Sequence, residues 1–242
     1  MSIEPHEEVV VALRTIGNPR HGAAVRQDRR SELEYLGVGV PALRARVKQG
    51  FSFYALAADE VLRVWDELWC ESPYGEVLFA AIEYYRKAPG RQPPGFWDTI
   101  RSWIGRVDNW AHADALAGLY SEVLERDEDA VYPQLERWNR AEGEWGRRIS
   151  IVSLIHYSGK RAVFMPLPSV LPLVTNLLDD HRYYVQTAIG WVLREMGNAF
   201  PEEVRVYLVA NGGRMSAAAF SRAIERRAAA EKAELRAYRR DR

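Results

Sequence analysis

Glu144-Trp145-Gly146-Arg147-Arg148 and, 38 residues on, Arg182-Tyr183-Tyr184-Val185-Gln186 open two helices alike, with an aromatic in second place and a long polar side chain in fifth. The same shift carried backwards sets Trp110 against Arg148. Around these segments apolar residues recur every three and four positions, while alternating β-branched runs are almost absent, so the chain reads as helical. Helices in series with a near-fixed period predict a HEAT-like repeat. One helix pair cannot bury both of its faces, so neighbours stack into a curved solenoid lined by the second helix of each pair. A concave wall of that kind suits a long partner such as DNA, and equally another protein.

Reading outward, a first helical region runs from Pro5 to Leu36, broken at Gly17-Asn18-Pro19. Gly37 to Pro41 form a turn, with Pro41 in the first turn of the next helix. Further helices are expected over Ala58 to Trp69, Gly75 to Lys87, Gly95 to Val107, Trp110 to Glu125, Ala130 to Arg140, Glu144 to His156, Ser169 to Asp179, Tyr183 to Met196 and Pro201 to Ala210. A capping helix from Ser216 to about Ala237 ends the chain, with a frayed tail. Breaks fall at proline and glycine clusters, among them Gly197-Asn198 and Asn211-Gly212-Gly213. The whole of 1–242 is read as one all-α domain.

Composition bounds the function. The chain has 242 residues, 48% of them hydrophobic, yet no apolar run approaches a bilayer span. The start Met1-Ser2-Ile3-Glu4-Pro5 is acidic where a secretory signal is basic. Cys70 is the lone cysteine, which predicts a small core residue and a reducing, cytoplasmic setting. With 33 basic and 33 acidic residues the formal charge is zero, which by itself argues against a strongly basic nucleic-acid binder. The basic residues nevertheless cluster: Arg26, Arg29 and Arg30; Arg44, Arg46 and Lys48; Arg147 and Arg148; Arg222, Arg226 and Arg227.

The stretch Asp108-Asn109-Trp110-Ala111-His112-Ala113-Asp114 carries the chemistry. Trp110 and Asp114 are four apart, so a helix projects both from one face, with His112 on another. A carboxylate beside a broad π surface suits an electron-poor sugar, because its charge offsets the positive charge that develops when a glycosidic bond breaks. Unaided, the same spacing fits a core tryptophan and a surface carboxylate. Trp191 follows Gly190, whose missing side chain lets a backbone or a ligand come close.

The run Ala188-Ile189-Gly190-Trp191-Val192-Leu193-Arg194-Glu195, together with Leu36-Gly37-Val38, Pro41, Arg44 and Glu67-Leu68-Trp69, resembles the AlkD family of DNA alkylation-repair glycosylases from about Ala23 to Arg226. That resemblance implies a catalytic Trp-x-x-x-Asp pair, matched by Trp110 and Asp114, an arginine one repeat on, matched by Arg148, and a second sugar-facing tryptophan, matched by Trp191. It makes Asp114, Trp110 and Trp191 the catalytic candidates and Arg148, Arg147 and Arg44 the DNA-binding ones. The chain departs from the family at Asp28-Arg29-Arg30 and Ala217-Ala218-Ala219, where an aromatic with lysine and further basic residues are usual.

A purine alkylated at N3 or N7 is already cationic and leaves as a neutral base, so one carboxylate suffices. The resemblance implies excision of N3-alkyladenine, N7-alkylguanine and bulky adducts from double-stranded DNA through an open cleft, by a monomer without cofactor or metal. His6-Glu7-Glu8 lacks the second histidine of a helical zinc motif, Ser153 and His156 have no oxyanion turn, and no phosphate-binding loop occurs. The alternative is a non-catalytic HEAT-like scaffold gripping DNA or a protein, although a scaffold has no use for a carboxylate facing phosphates.

Overall fold

The computed structural model describes residues 4–158 and 161–240, so Met1 to Ile3, Gly159, Lys160, Asp241 and Arg242 lie outside it, and with them part of the expected frayed tail. Among the described residues the fold is an all-α helical repeat of fourteen α-helices, short 3-10 turns and one β-hairpin. No helix among them is long and apolar enough to cross a membrane. Contacts divide the chain into two compact units, Met1–Val123 and Leu124–Arg242.

The first unit holds α1 (Pro5–Thr15), α2 (Pro19–Arg29), α3 (Val40–Gln49), α4 (Ala58–Glu71), α5 (Gly75–Tyr85), α6 (Phe96–Ile100) and most of α7 (Trp110–Leu124). Sequence sets these boundaries. Asn18 caps α2 by accepting from the backbone N–H groups of Arg20 and His21, and Pro19 fills the first helical position, where no N–H is needed. In α4 the buried residues Val61, Leu62, Trp65, Leu68 and Trp69 repeat at helical spacing and form one apolar stripe. Trp69 stacks on Trp103 at 4.6 Å and its indole N–H donates to the Trp103 carbonyl at 2.9 Å. The turn expected at residues 37–41 is built around the buried Glu76 near the start of α5, whose carboxylate accepts from the backbone N–H groups of Leu36, Gly37 and Val38. Gly37 has φ +79, and a Cβ there would lie 1.9 Å from the Asn18 carbonyl oxygen, so only glycine fits.

The second unit holds α8 (Glu128–Arg140), α9 (Glu144–Val152), β1 (Ile155–Ser158), β2 (Arg161–Phe164), α10 (Leu167–Asn176), α11 (Tyr183–Ala199), α12 (Pro201–Asn211), α13 (Ala217–Ala223) and α14 (Ala229–Arg240). Its centre is α11, packed on α9, α12 and α13 and contributing the fully buried Val185, Ala188, Ile189, Val192, Leu193 and Met196. Gly190 permits a close approach of α13: a Cβ would sit 2.5 Å from the Ala219 carbonyl oxygen. The opening left by this glycine is therefore filled by backbone.

Several boundaries differ from the sequence reading. The first helical region stops at Arg29, because Arg30 turns into the left-handed region (φ 51) and the chain runs on extended to the bridge between Glu34 and Tyr74. Gly95 to Val107 divides into the five-residue α6 and a 3-10 segment, Arg101–Arg106. Gly197-Asn198 does not end α11, which continues to Ala199. The single capping helix is two, α13 and α14. The helix expected to His156 ends at Val152, and Ile155 pairs antiparallel with Phe164, His156 with Val163 and Tyr157 with Ala162. Cys70 is exposed and not a core residue, since it lies off the buried stripe of α4. The helices α5, α7, α9 and α11 start at residues 75, 110, 144 and 183. These intervals are unequal, so a fixed shift misplaces one pairing: Trp110 opens its helix, whereas Arg148 is the fifth residue of its own, level with Asp114.

Candidate functional site

Asn109 fixes the start of α7. Its side-chain oxygen accepts from the backbone N–H groups of Ala111 at 3.0 Å and His112 at 3.1 Å, satisfying donors that a helix start leaves open. That assignment turns the amide nitrogen inward, where it lies 2.7 Å from Asp108, 2.8 Å from His112 Nδ1 and 3.2 Å from the Tyr35 hydroxyl. With Nδ1 accepting, the proton of the neutral ring sits on Nε2, which donates to the Gly75 carbonyl at 3.0 Å. His112 is fully enclosed, and burial pushes its pKa down to about 4, with the Gly75 bond and Asp108 opposing and Arg29 adding to the fall. Asp108 accepts from the Ser31 hydroxyl at 2.7 Å and the Glu32 N–H at 2.7 Å. Burial raises its pKa, but the bonds from Ser31, Asn109 and Glu32 outweigh this and hold it below the usual carboxylate range. These contacts tie the first turn of α7 to α5 and to the extended segment after α2.

Ala111, His112 and Ala113 are spent on the core, which leaves Trp110, Asp114 and Gly118 on the opposite stripe. Trp110 is 38% exposed, whereas Trp65, Trp69 and Trp103 are wholly enclosed and Trp97, Trp138, Trp145 and Trp191 are half-buried. Asp114, one turn on, is half-buried, and beyond it the Cβ position of Gly118 meets open space. The structure thus brings Trp110 and Asp114 together on an accessible face of the first unit.

Trp191 and Arg148 belong to the second unit. Trp191 is the half-exposed member of an otherwise enclosed stretch of α11, with the Tyr157 ring at 6.2 Å in an edge arrangement. Arg148 is only 8% exposed, and its Nη1 donates to the Tyr184 carbonyl at 2.7 Å and the Thr187 hydroxyl at 3.1 Å. Arg147 donates to the Ala141 carbonyl at 2.6 Å and pairs with Asp180 at 3.1 Å. Arg44, in the first unit, holds Glu83 through two bonds of 2.9 Å. All three arginines proposed from sequence therefore already make bonds within the chain. His156 contacts Glu125 at 2.5 Å, consistent with a packing role. Among the described residues no cluster of His, Cys, Asp and Glu could hold a metal ion.

Sequence reasoning placed the break at Asp108-Asn109 but missed that Asn109 and His112 brace the helix start, although asparagine just ahead of a helical run is a capping signal. Tyr157 was not singled out: it lies just past the helix expected over Glu144 to His156, in a hairpin whose strand pairing the local pattern does not announce.

A family model described as DNA alkylation repair enzyme matches residues 9–226. No curated protein matches the chain. Among solved structures it is similar to a predicted DNA alkylation repair enzyme from Enterococcus faecalis, with TM-score 0.75 and 17% identity over 88% of this chain and 97% of that one. It is also similar to AlkD2 from Streptococcus mutans, with TM-score 0.52 and 14% identity over 91% of this chain and 96% of that one. At these identities the structural likeness shows the fold alone.

Proposed function

The chain belongs to the family of DNA alkylation repair enzymes, and we propose that it is a DNA glycosylase hydrolysing the N-glycosidic bond of cationic alkylated purines, N3-alkyladenine, N7-alkylguanine and bulkier adducts, in double-stranded DNA. The observation that carries this reading is the exposed Trp110 one turn from Asp114 on a helix start held from behind by Asn109 and His112. When the bond from the anomeric carbon to the base breaks, its electron pair neutralises the purine, which leaves without needing a proton. The positive charge passes to the sugar. The Asp114 carboxylate offsets it, the Trp110 indole lies against the sugar face, and the oxygen of a water molecule oriented by that carboxylate bonds to the anomeric carbon while its proton passes to the carboxylate and on to solvent. A fixed carboxylate meets a charge that exists only near the transition state, so it lowers the barrier more than it strengthens binding. In the second unit, Trp191 is the further sugar-facing aromatic and Arg148, with Arg147, the phosphate contact; Arg44 serves the first unit. The proposed enzyme acts as a monomer, in the cytoplasm.

The engagement of Arg44, Arg147 and Arg148 in internal bonds favours a second reading, a non-catalytic scaffold. The test is single-turnover release of 7-methylguanine from alkylated duplex DNA at saturating protein. Asp114→Asn keeps shape and hydrogen-bonding capacity but removes the charge, and is expected to slow release by about a hundredfold or more while DNA binding survives. Release by Asp114→Asn at the parent rate would refute the mechanism, and no release by either protein would favour the scaffold.

A further inference from the structure

The β-hairpin between α9 and α10 places Tyr157 against two residues of α11 that lie one turn apart. Its ring meets the Trp191 indole at 6.2 Å and 61°, and its hydroxyl donates to the Glu195 carboxylate. Glu195 is buried and held in turn by Arg194 Nε at 2.8 Å, Arg226 Nη1 at 3.0 Å and the Asn198 amide at 3.3 Å. Arg194 also pairs with Glu225 at 2.7 Å. The carboxylate is therefore fixed from three sides before the phenol reaches it. Burial and that bond push the Tyr157 hydroxyl up to about 12, so it stays a donor throughout the physiological range.

Trp191 needs such a support. Its neighbours Gly190, which faces the α13 backbone, and Val192 are turned into the core and away from the indole. A half-exposed indole on a helix otherwise has several staggered positions open to it. Tyr157 is itself 43% exposed, although its hydroxyl is committed to a buried group. A ring held at one end by a fixed carboxylate and laid edge-on to another ring narrows the positions open to the second ring. In β1, Ile155 and Tyr157 share one face by strand alternation, and Ile155 is buried.

We propose that Tyr157 is a positioning residue for Trp191, locking the indole in its sugar-facing orientation through the hydrogen bond to Glu195. This rests on the reading of Trp191 as a substrate contact. Misplacing a contact of this kind by about an ångström costs up to roughly a hundredfold in rate, so Tyr157→Ala is expected to slow single-turnover base release by at least about tenfold without weakening DNA binding comparably. Tyr157→Phe keeps the ring, loses the hydroxyl bond, and should fall between the two.

The orientation itself is read without activity, from the indole N–H resonance of Trp191, assigned by its loss in Trp191→Phe. In Tyr157→Ala that resonance should shift and its order parameter fall, while the resonances of the other seven of the eight tryptophans report an intact fold. If the hairpin variant does not fold, Tyr157→Phe carries the same comparison. An unchanged Trp191 resonance and order parameter would overturn the proposal, as would release by Tyr157→Ala at the parent rate when Trp191→Ala is slow. If Trp191→Ala releases base normally, the substrate-contact reading of Trp191 has failed, and the indole resonance alone decides whether Tyr157 orients it.

Discussion

Acidifying the protein should loosen the start of α7, and the size of the effect follows from one side chain. His112 has both ring nitrogens committed, Nδ1 to Asn109 and Nε2 to the Gly75 carbonyl, and its ring is packed against Phe79 at 4.5 Å. Protonating Nδ1 would place a second N–H against the Asn109 amide donor at a fully enclosed ring. The folded protein therefore resists the proton down to about pH 4, whereas the unfolded chain takes it up near 6.5. For a base whose folded pKa is depressed, stability is full above the unfolded value and is lost as pH falls towards the folded one. The gap corresponds to roughly 3 kcal/mol, of which about 2 kcal/mol disappears between pH 7 and 4.5. Carboxylates titrate in the same range, so the measurement is a difference: urea unfolding of the parent and of His112→Gln at both pH values. The two share every other titrating group. The stability advantage of the parent should shrink by about 2 kcal/mol at the lower pH. An advantage that stays constant would show that His112 does not exclude the proton and that the bracing of α7 has been misread.

Other expectations are simpler. Gly190→Ala forces a methyl into the Ala219 backbone of α13 and should cost about 1–3 kcal/mol in urea unfolding; a neutral substitution would mean that α13 can yield. Asn109→Ala removes the cap and the partner of His112 together, so its loss of stability should exceed the ~1 kcal/mol of an ordinary cap, whereas Asn109→Asp keeps the cap and should raise the pKa of His112 by placing a negative charge beside it, a shift visible in imidazole NMR. Arg148→Ala removes bonds to Tyr184 and Thr187 and should destabilise the protein by about 1–3 kcal/mol. If Arg148 also contacts phosphate, the slope of DNA affinity against salt should fall by about one charge; destabilisation with an unchanged slope would mark it as purely structural.

What the sequence made legible was local. The stripe Val61, Leu62, Trp65, Leu68, Trp69 announces α4 because its spacing is that of the helix itself, and Trp110 with Asp114 share a face for the same reason. The hairpin escaped because Ile155 and His156 continue the apolar rhythm of α9, and their pairing with Phe164 and Val163 is settled by residues beyond the local window. The motif residues that prompted the family resemblance divide in the same way. Gly37, Leu68, Trp69, Ile189 and Gly190 are explained by packing or backbone approach alone, which leaves Trp191 and Arg194 as the members of their run that are not buried.

The balance of charges shows why residue counts misjudged the arginines. Arg44 reaches Glu83, Arg147 reaches Asp180, Arg194 reaches Glu225, Arg214 reaches Asp179 and Arg226 reaches Glu195, all pairs 31 to 39 residues apart in sequence. That is close to the interval between successive helix pairs, so the arginines of one repeat are met by the carboxylates of another. A helical repeat built this way approaches neutrality as a by-product of its own cross-linking, and a formal charge of zero says little about affinity for a polyanion. It also places a condition on DNA binding. A phosphate gains such an arginine only by sharing it with a carboxylate or carbonyl that already holds it, and a held guanidinium offers its remaining donors in a fixed direction. Arg148, 8% exposed and anchored by Tyr184 and Thr187, is constrained in the same way. If it meets a phosphate, it does so as a preset fork whose geometry is settled before DNA arrives, with less side-chain freedom left to lose on binding.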